Sequence, residues 1–429
     1  MRGAIFFVLS CPKLPLFFGM TIWLIALLIM ASVAALGYRQ GAVRVAVSFI
    51  GIIVGALLAP LVGKWAKPAL MAFSVKNPVV LWLLGPPIFF VIISAIFKTL
   101  GLMAHQKVDV HFRYKAGELK QALWERLNSR VGFCLGLFNG AAYVVLISFV
   151  VYMLGYWTVP LSGSDTDPKW MKITTRLAKD LEASGFAKVA RAVDRMPKSW
   201  YDAADLAALL YRNPLVDARL AGYPAFFSLA ERQQFQDLGK DQEFLGLRTR
   251  TAPIMEQLDE ARVQAIVNDP EMLKTIWETL LPNMKDFRTY LQTGRSEKYD
   301  PINILGHWKF NVNVAMATMR KGKASISARE MQRLKHDMTV AFSKTTFMAM
   351  PDPAGASDQG PAVLRNVPPK PLVQGGPSVG GQNVQCQWSK GDAGKYSLSV
   401  SGSDAPATVE GDRLTMGGPG LEMVFDRGD

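Results

Sequence analysis

Four long apolar stretches dominate the first 160 residues of the chain. They cover residues 16–36, 45–63, 78–97 and 131–157, and none of them contains Asp, Glu, Lys or Arg. About 20 apolar residues in a helix cross the hydrocarbon core of a bilayer, and a helix satisfies its own backbone hydrogen bonds there. The pattern therefore predicts a multi-pass α-helical membrane domain over residues 1–160, with four spans.

The hydrophobic pattern changes after residue 165 to that of short amphipathic helices. Trp170, Ile173 and Leu177 recur at helical spacing. Ser327 and Glu330 have the spacing of a capping box, in which each side chain bonds the backbone N–H of the other residue at the start of a helix. These signals predict a mainly helical soluble domain over residues 166–350.

The C-terminal part of the chain shows the period of β-strands. Residues 351–383 are rich in Pro and Gly and are predicted to be a linker. In residues 384–429, apolar and polar positions alternate between Gly-containing turns, which predicts a small antiparallel β-meander of about four strands. Segments 305–310 and 345–348 are suited to complete this sheet. A small β-domain of this kind binds an apolar ligand or only packs its own core, and we expect packing.

Charge supports the assignment to a membrane. The chain has a formal net charge of +13, of which residues 1–160 hold +11 and residues 161–429 hold +2. This basic excess flanks apolar stretches, which is typical of membrane topology rather than of nucleic-acid binding. Arg39 and Arg44 lie in the turn after the first stretch, and Arg130 precedes the fourth. The loop before the fourth stretch is the richest in Lys and Arg, which favours a cytoplasmic loop and an extracytoplasmic C-terminal half.

Glycines recur at four-residue spacing in two of the apolar stretches. They are Gly51 and Gly55 in the second stretch, and Gly132, Gly136 and Gly140 in the fourth. Glycines four apart lie on one helix face and allow close approach of a second helix. The spacing favours packing of the second stretch against the fourth, or self-association through the fourth.

Two segments of the membrane half carry a family resemblance. Residues 37–44 read GYRQGAVR, and residues 127–140 read LNSRVGFCLGLFNG. Together with the order and number of the apolar stretches, they resemble the colicin V production (CvpA) family over residues 20–156. Gln40 between Arg39 and Gly41, and the long C-terminal extension, depart from the family pattern. The resemblance implies a multi-pass protein of the bacterial inner membrane, tied to toxin production or export and to envelope homeostasis, and it implies no catalytic residue.

The residues indicate little enzymatic chemistry. The apolar stretches contain no ionisable acid or base of the kind that proton-coupled carriers bury, and the four histidines are scattered. Ser378 lies in a G-x-S-x-G sequence, but no His follows it to complete a triad. We therefore expect no enzyme activity and no cofactor or metal.

Two functional hypotheses remain. The first is a non-enzymatic membrane protein whose soluble half is an interaction module. The alternative is a small passive channel with a soluble vestibule or regulatory domain. The expected partners are the lipid bilayer and either a second copy of the chain or other envelope proteins.

Overall fold

A computed structural model of the 429-residue chain describes residues 20–73, 77–115, 117–322, 327–353, 355, 357–367, 382–392, 394–400, 403–417 and 423–428. These residues are mostly helical, and the strands all lie after residue 305. The predicted linker residues 368–381, including Ser378, lie outside the described residues.

The helices, in chain order, are α1 (Met20–Gln40), α2 (Ala42–Val62), α3 (Lys67–Ala72), α4 (Pro78–Lys115), α5 (Glu118–Leu161), α6 (Lys169–Ala183), α7 (Phe186–Ala192), α8 (Lys198–Arg212), α9 (Asp217–Leu220), α10 (Phe227–Ala230), α11 (Gln233–Lys240), α12 (Gln242–Thr249), α13 (Ile254–Asp259), α14 (Ala261–Val267), α15 (Pro270–Leu280), α16 (Met284–Thr293), α17 (Val312–Gly322) and α18 (Ala328–Phe342). The strands are β1 (Gly306–Phe310), β2 (Thr346–Ala349), β3 (Gln359–Val367), β4 (Gln382–Lys390), β5 (Lys395–Val400), β6 (Ser403–Glu410), β7 (Arg413–Met416) and β8 (Met423–Arg427).

The chain divides into two compact units. One comprises Met1–Arg212 and Gly246–Leu273, and the other comprises Asn213–Leu245 and Lys274–Asp429. The sequence predicts a boundary near residue 160, at the end of the apolar part. In the structure, α6, α7 and α8 pack against α5 and belong to the unit that contains the apolar helices.

Four helical regions in the first unit are long and apolar enough to cross a membrane. They are Thr21–Gln40, Ala42–Ala72, Pro78–Phe112 and Glu118–Leu161. Each overlaps one of the predicted apolar stretches, and residues 16–19 of the first stretch lie outside the described residues. The described residues are therefore mostly helical and include candidate membrane-spanning helices, as the apolar stretches predict.

Two of these helices are much longer than their apolar stretches. α4 has 38 residues and α5 has 44, which corresponds to about 57 and 66 Å at 1.5 Å per residue. The residues between the third and fourth stretches include the good helix formers Lys, Arg and Glu, so α4 continues to Lys115 and α5 begins at Glu118, directly after Gly117. Pro86 and Pro87 lie inside α4 without ending it.

The apolar helices pack in a definite order. α5 packs against both α1 and α2, and α2 packs in turn against α4. α5 therefore joins α1 to α2, and α2 joins α5 to α4.

The second unit contains the C-terminal sheet, which is a closed antiparallel barrel of eight strands. Each strand pairs with the next, and β8 returns to pair with β1, so that Trp308 of β1 lies opposite both Phe347 and Arg427. The two segments proposed to complete a meander form β1 and most of β2. Between them, α17 and α18 are inserted, and the capping box predicted at Ser327 and Glu330 is confirmed at the start of α18.

One strand of the barrel lies where the sequence analysis predicts a linker. β3 occupies Gln359–Val367 and pairs with both β2 and β4. Its apolar run is only Ala362, Val363 and Leu364, and Pro361 removes one backbone donor, so the strand pattern is weak. The Pro361 carbonyl is still available, and it accepts a hydrogen bond from the Met350 N–H at 2.9 Å.

Side chains fill the interior of the barrel. Trp308, Phe425 and Leu414 are fully buried, and Trp388, Phe347 and Leu398 are 1% exposed. The indole N–H of Trp308 donates to the Ile304 carbonyl at 2.8 Å, and that of Trp388 donates to the Met350 carbonyl at 2.8 Å. Eight strands leave an interior just wide enough for such side chains, so the described residues form a packed core.

We expect Trp308→Ala and Trp388→Ala each to destabilise the barrel by about 3–5 kcal/mol, because each removes a large buried aromatic side chain. Limited proteolysis of segment 382–428 in the full-length protein measures the loss. Gln387→Ala is the matched control, since Gln387 is the exposed neighbour of Trp388 on β4. Unchanged protection in both tryptophan variants would contradict a barrel held by its aromatic core.

Candidate functional site at the turn between the first two helices

The turn between α1 and α2 depends on Gly41. This residue has φ +82°, a conformation that side chains with a Cβ rarely adopt. A Cβ at this position would also lie closer than 3 Å to the Asn128 side chain of α5. The turn is therefore shaped both by the backbone freedom of glycine and by the close approach of α5.

Glycines of α5 allow backbone contact with α1. An added Cβ at Gly132 would meet the Gly37 carbonyl oxygen, and one at Gly136 would lie 2.8 Å from both the Ala34 Cα and the Val33 carbonyl oxygen. One turn further along, a Cβ at Gly140 would lie 2.8 Å from the Met30 Cα. The three glycines predicted to pack therefore share one partner helix, α1.

Two asparagines of α5 bond the backbone of α2. The Asn128 Oδ1 accepts a hydrogen bond from the Ala42 N–H at 2.7 Å, and the Asn139 Nδ2 donates to the Val45 carbonyl at 3.2 Å. Both side chains are buried. They are 11 residues apart, close to three helical turns, so they lie on the same face of α5. In an apolar environment such bonds hold helices together, because an unsatisfied amide would be costly.

Gly51 and Gly55 of α2 face a different helix. A Cβ at Gly51 would meet the Phe97 side chain of α4, and one at Gly55 would lie 3.0 Å from Phe90 Cδ2. The second and fourth stretches do pack against each other, as α2 and α5. The glycines themselves face α4 and α1, because four-residue spacing defines a helix face without specifying its partner, and self-association through the fourth stretch stays a prediction.

The three predicted basic residues separate into two environments. Arg39 and Arg130 are exposed and line one groove between α1 and α5, together with Ala35, Tyr38, Phe133 and Cys134. Arg44 is half-buried on α2, where its backbone approaches Gly101 of α4. The buried Arg44 Nε atom has no hydrogen-bond partner among the described residues.

A second cluster, which the sequence analysis missed, joins α5 to α8. The Tyr156 hydroxyl donates to Asp205 at 3.0 Å, and the Tyr201 hydroxyl donates to Asp194 at 2.6 Å. Burial and the neighbouring Asp194 carboxylate raise the pKa of Tyr201, so the phenol keeps its proton and remains a donor. The signal available in the sequence was the run of Tyr and Trp at the end of the fourth stretch, typical of a membrane interface.

Asp180 on α6 is an unusual buried acid in the same unit. It is 1% exposed, and neither carboxylate oxygen has a hydrogen-bond partner among the described residues. The next residue, Leu181, packs in an apolar cluster with Ile22 of α1 and with Ala187 and Ala190 of α7. A buried acid without partners is costly, and nothing else in the described structure accounts for it.

The second unit contains a fully paired polar network around Asp286. Its Oδ2 accepts hydrogen bonds from the Tyr223 hydroxyl at 2.8 Å and the Ser296 hydroxyl at 2.6 Å. Burial is the largest cause of the raised pKa of Tyr223, and the hydrogen bond to Asp286 raises this pKa further. Since Ser296 and Tyr223 are buried and their hydroxyls are used in these bonds, the network stabilises the fold and leaves no exposed nucleophile there.

Comparisons with known proteins add no assignment. No protein-family model matches the chain, and neither the curated proteins nor the solved structures yield a match. Among the described residues, no group of three or more His, Cys, Asp or Glu side chains is placed to hold a metal ion.

We expect Gly136→Leu to disrupt the contact between α1 and α5. The larger side chain would meet backbone atoms of Val33 and Ala34, and overpacking of this kind costs at least about 1–3 kcal/mol. The variant should reach the membrane at a near-normal level but melt at a lower temperature in detergent. Val150→Leu, at an exposed position of the same helix, is the control. Equal melting temperatures for Gly136→Leu and the parent would show that the glycine contact is dispensable.

We expect Asp180→Asn to raise the stability of the protein by about 1–3 kcal/mol, because it replaces a buried acid that has no hydrogen-bond partner among the described residues with an uncharged side chain of the same shape. Thermal unfolding in detergent measures the change, and Asp202→Asn, at an exposed acid of α8, is the control. A lower melting temperature for Asp180→Asn would mean that the carboxylate makes a stabilising interaction.

Proposed function

We propose that the protein is a non-enzymatic inner-membrane protein of the colicin V production type, with four spans, acting in toxin production or export or in envelope homeostasis. The observation that supports it most directly is the contact between residues 37–44 and 127–140. These two segments carry the family resemblance, lie about 90 residues apart in the chain, and pack against each other through Gly41 and Asn128 and through Gly37 and Gly132.

This contact gives the resemblance a physical meaning. If the two segments resembled the family by chance, nothing would require them to be neighbours. Their glycines permit the approach of two backbones, and Asn128 bonds the first N–H of α2. The pattern shared with the family then fixes the hairpin of α1 and α2 against α5. This is a property of membrane architecture rather than of catalysis.

In the proposed topology, α1, α2, α4 and α5 each cross the bilayer once. The turn at Gly41 and the end of α4 then lie on one side, and Leu161 at the end of α5 lies on the other. Basic residues near span ends favour the cytoplasm, so the turn side is cytoplasmic and the residues after α5 are extracytoplasmic.

The proposed role of the soluble half is binding to other envelope proteins. In the described residues, the barrel interior is filled and the Asp286 network is paired internally. Recognition would therefore use outer surfaces rather than an internal cavity.

Carbonate extraction tests the membrane part of the proposal. Four uncharged spans keep the protein in the membrane pellet until detergent is added, and recovery in the aqueous supernatant would overturn the proposal. A cysteine at the exposed Lys395 of β5, in a Cys-free parent, then tests the sidedness: it should react with an impermeant maleimide added to intact cells. Reaction only after lysis would reverse the orientation.

The role itself is tested by deletion of the gene in its host. We expect impaired secretion of a peptide toxin or increased release of periplasmic protein, restored by the parent and by Val150→Leu and not by Gly136→Leu. Normal secretion and normal envelope retention in the deletion strain would overturn the role. Solute flux through purified protein in liposomes would favour the passive channel instead.

A further inference from the structure

The groove between α1 and α5 combines an apolar wall with two cations. Ala35, Tyr38, Phe133 and Cys134 form most of its lining, and Arg39 and Arg130 complete it. Tyr38 is 54% exposed and Phe133 is 43% exposed. The groove is therefore open to the surrounding medium, which is lipid in a membrane-spanning arrangement.

The positions of the two arginines place them at one depth. Arg39 is the penultimate residue of α1, and Arg130 immediately precedes the apolar stretch 131–157 of α5. In a membrane-spanning arrangement both guanidinium groups lie at the end of an apolar segment, which is the level of the lipid headgroups. The apolar lining lies next to them, at the depth of the acyl chains.

Within the described part of the chain, these two arginines have no counter-charge. Among the described residues, no ion pair or hydrogen bond involves the side chain of Arg39 or Arg130, and no acid lines the groove. One turn before Arg130, Arg126 is also exposed. Like charges at positions i and i+4 of a helix repel each other, so this end of the groove carries excess positive charge that an anion would neutralise.

We propose that this groove binds an anionic phospholipid of the bilayer, with the phosphate between Arg39 and Arg130 and an acyl chain along Phe133 and Cys134. Arginine binds phosphate through planar, paired hydrogen bonds, and basic pockets between membrane helices bind anionic headgroups. The proposal rests on the membrane insertion proposed above, which carbonate extraction tests separately.

Native mass spectrometry of the full-length protein in detergent tests the proposal. Dioleoylphosphatidylglycerol should bind, dioleoylphosphatidylcholine should bind much more weakly, and inorganic phosphate alone should not compete. Since each arginine near an anionic headgroup strengthens binding about fivefold, Arg39→Gln/Arg130→Gln should weaken phosphatidylglycerol binding about 30-fold. Lys64→Gln/Lys67→Gln removes the same charge from exposed residues elsewhere and should have little effect.

Chemical labelling of the free thiol of Cys134 tests whether the lipid binds in this groove. Cys134 is exposed in the groove and Cys386 is buried, so in a Cys11→Ser background maleimide labelling reports on Cys134. Phosphatidylglycerol should slow this labelling in the parent and not in Arg39→Gln/Arg130→Gln, provided that both proteins melt at similar temperatures. The proposal would be overturned if the two lipids bound equally well, or if the lysine control lost as much phosphatidylglycerol binding as the arginine variant. It would also be overturned if phosphatidylglycerol left the labelling of Cys134 unchanged. Competition by free phosphate would identify a soluble anion as the ligand instead.

Discussion

The backbone contact between α1 and α5 is the interaction on which the other apolar helices depend. In lipid, apolar side chains gain little by leaving their surroundings, so packing and hydrogen bonds supply the attraction between helices. Gly132 and Gly136 bring the α5 backbone against Gly37 and Ala34. Once this contact is made, Asn128 reaches the first N–H of α2, and α2 in turn carries Gly51 and Gly55 to α4. The helices are therefore held by successive close contacts, each requiring small residues at defined positions.

The same contact explains where the basic groove lies. Gly41 ends α1 in a sharp turn against Asn128, which leaves Arg39 beside Arg130 on the outer side of the interface. A bulkier residue in the contact would separate the two helices and the two guanidinium groups together. Packing, topology and the proposed lipid site are thus consequences of one arrangement. Helices α6 to α8 extend this arrangement by packing against α5.

The sequence predicts the existence of the elements better than their partners. Uncharged apolar stretches follow directly from the cost of charge in lipid, so the long helices could be located, and four-residue glycine spacing located their packing faces. The partner of each face depends on tertiary geometry, so the assignment of Gly132 and Gly136 to α1 could not be derived. The barrel was underestimated because β3 has a three-residue apolar run beside Pro361. The Tyr201–Asp194 pair joins a helix to a loop whose position depends on the fold.

Disulfide trapping between α1 and α5 tests the central contact most directly. Ala35 and the native Cys134 line the same groove, so Ala35→Cys, in a background with Cys11 and Cys386 replaced by Ser, should form a disulfide with Cys134 within one chain in native membranes under mild oxidation. Mass spectrometry of the linked peptides identifies the bond, and Leu36→Cys, about 100° further around α1, is the control that should link poorly. A bond that forms only between two copies of the chain, or equal linking in the control, would contradict the packing of α1 against α5.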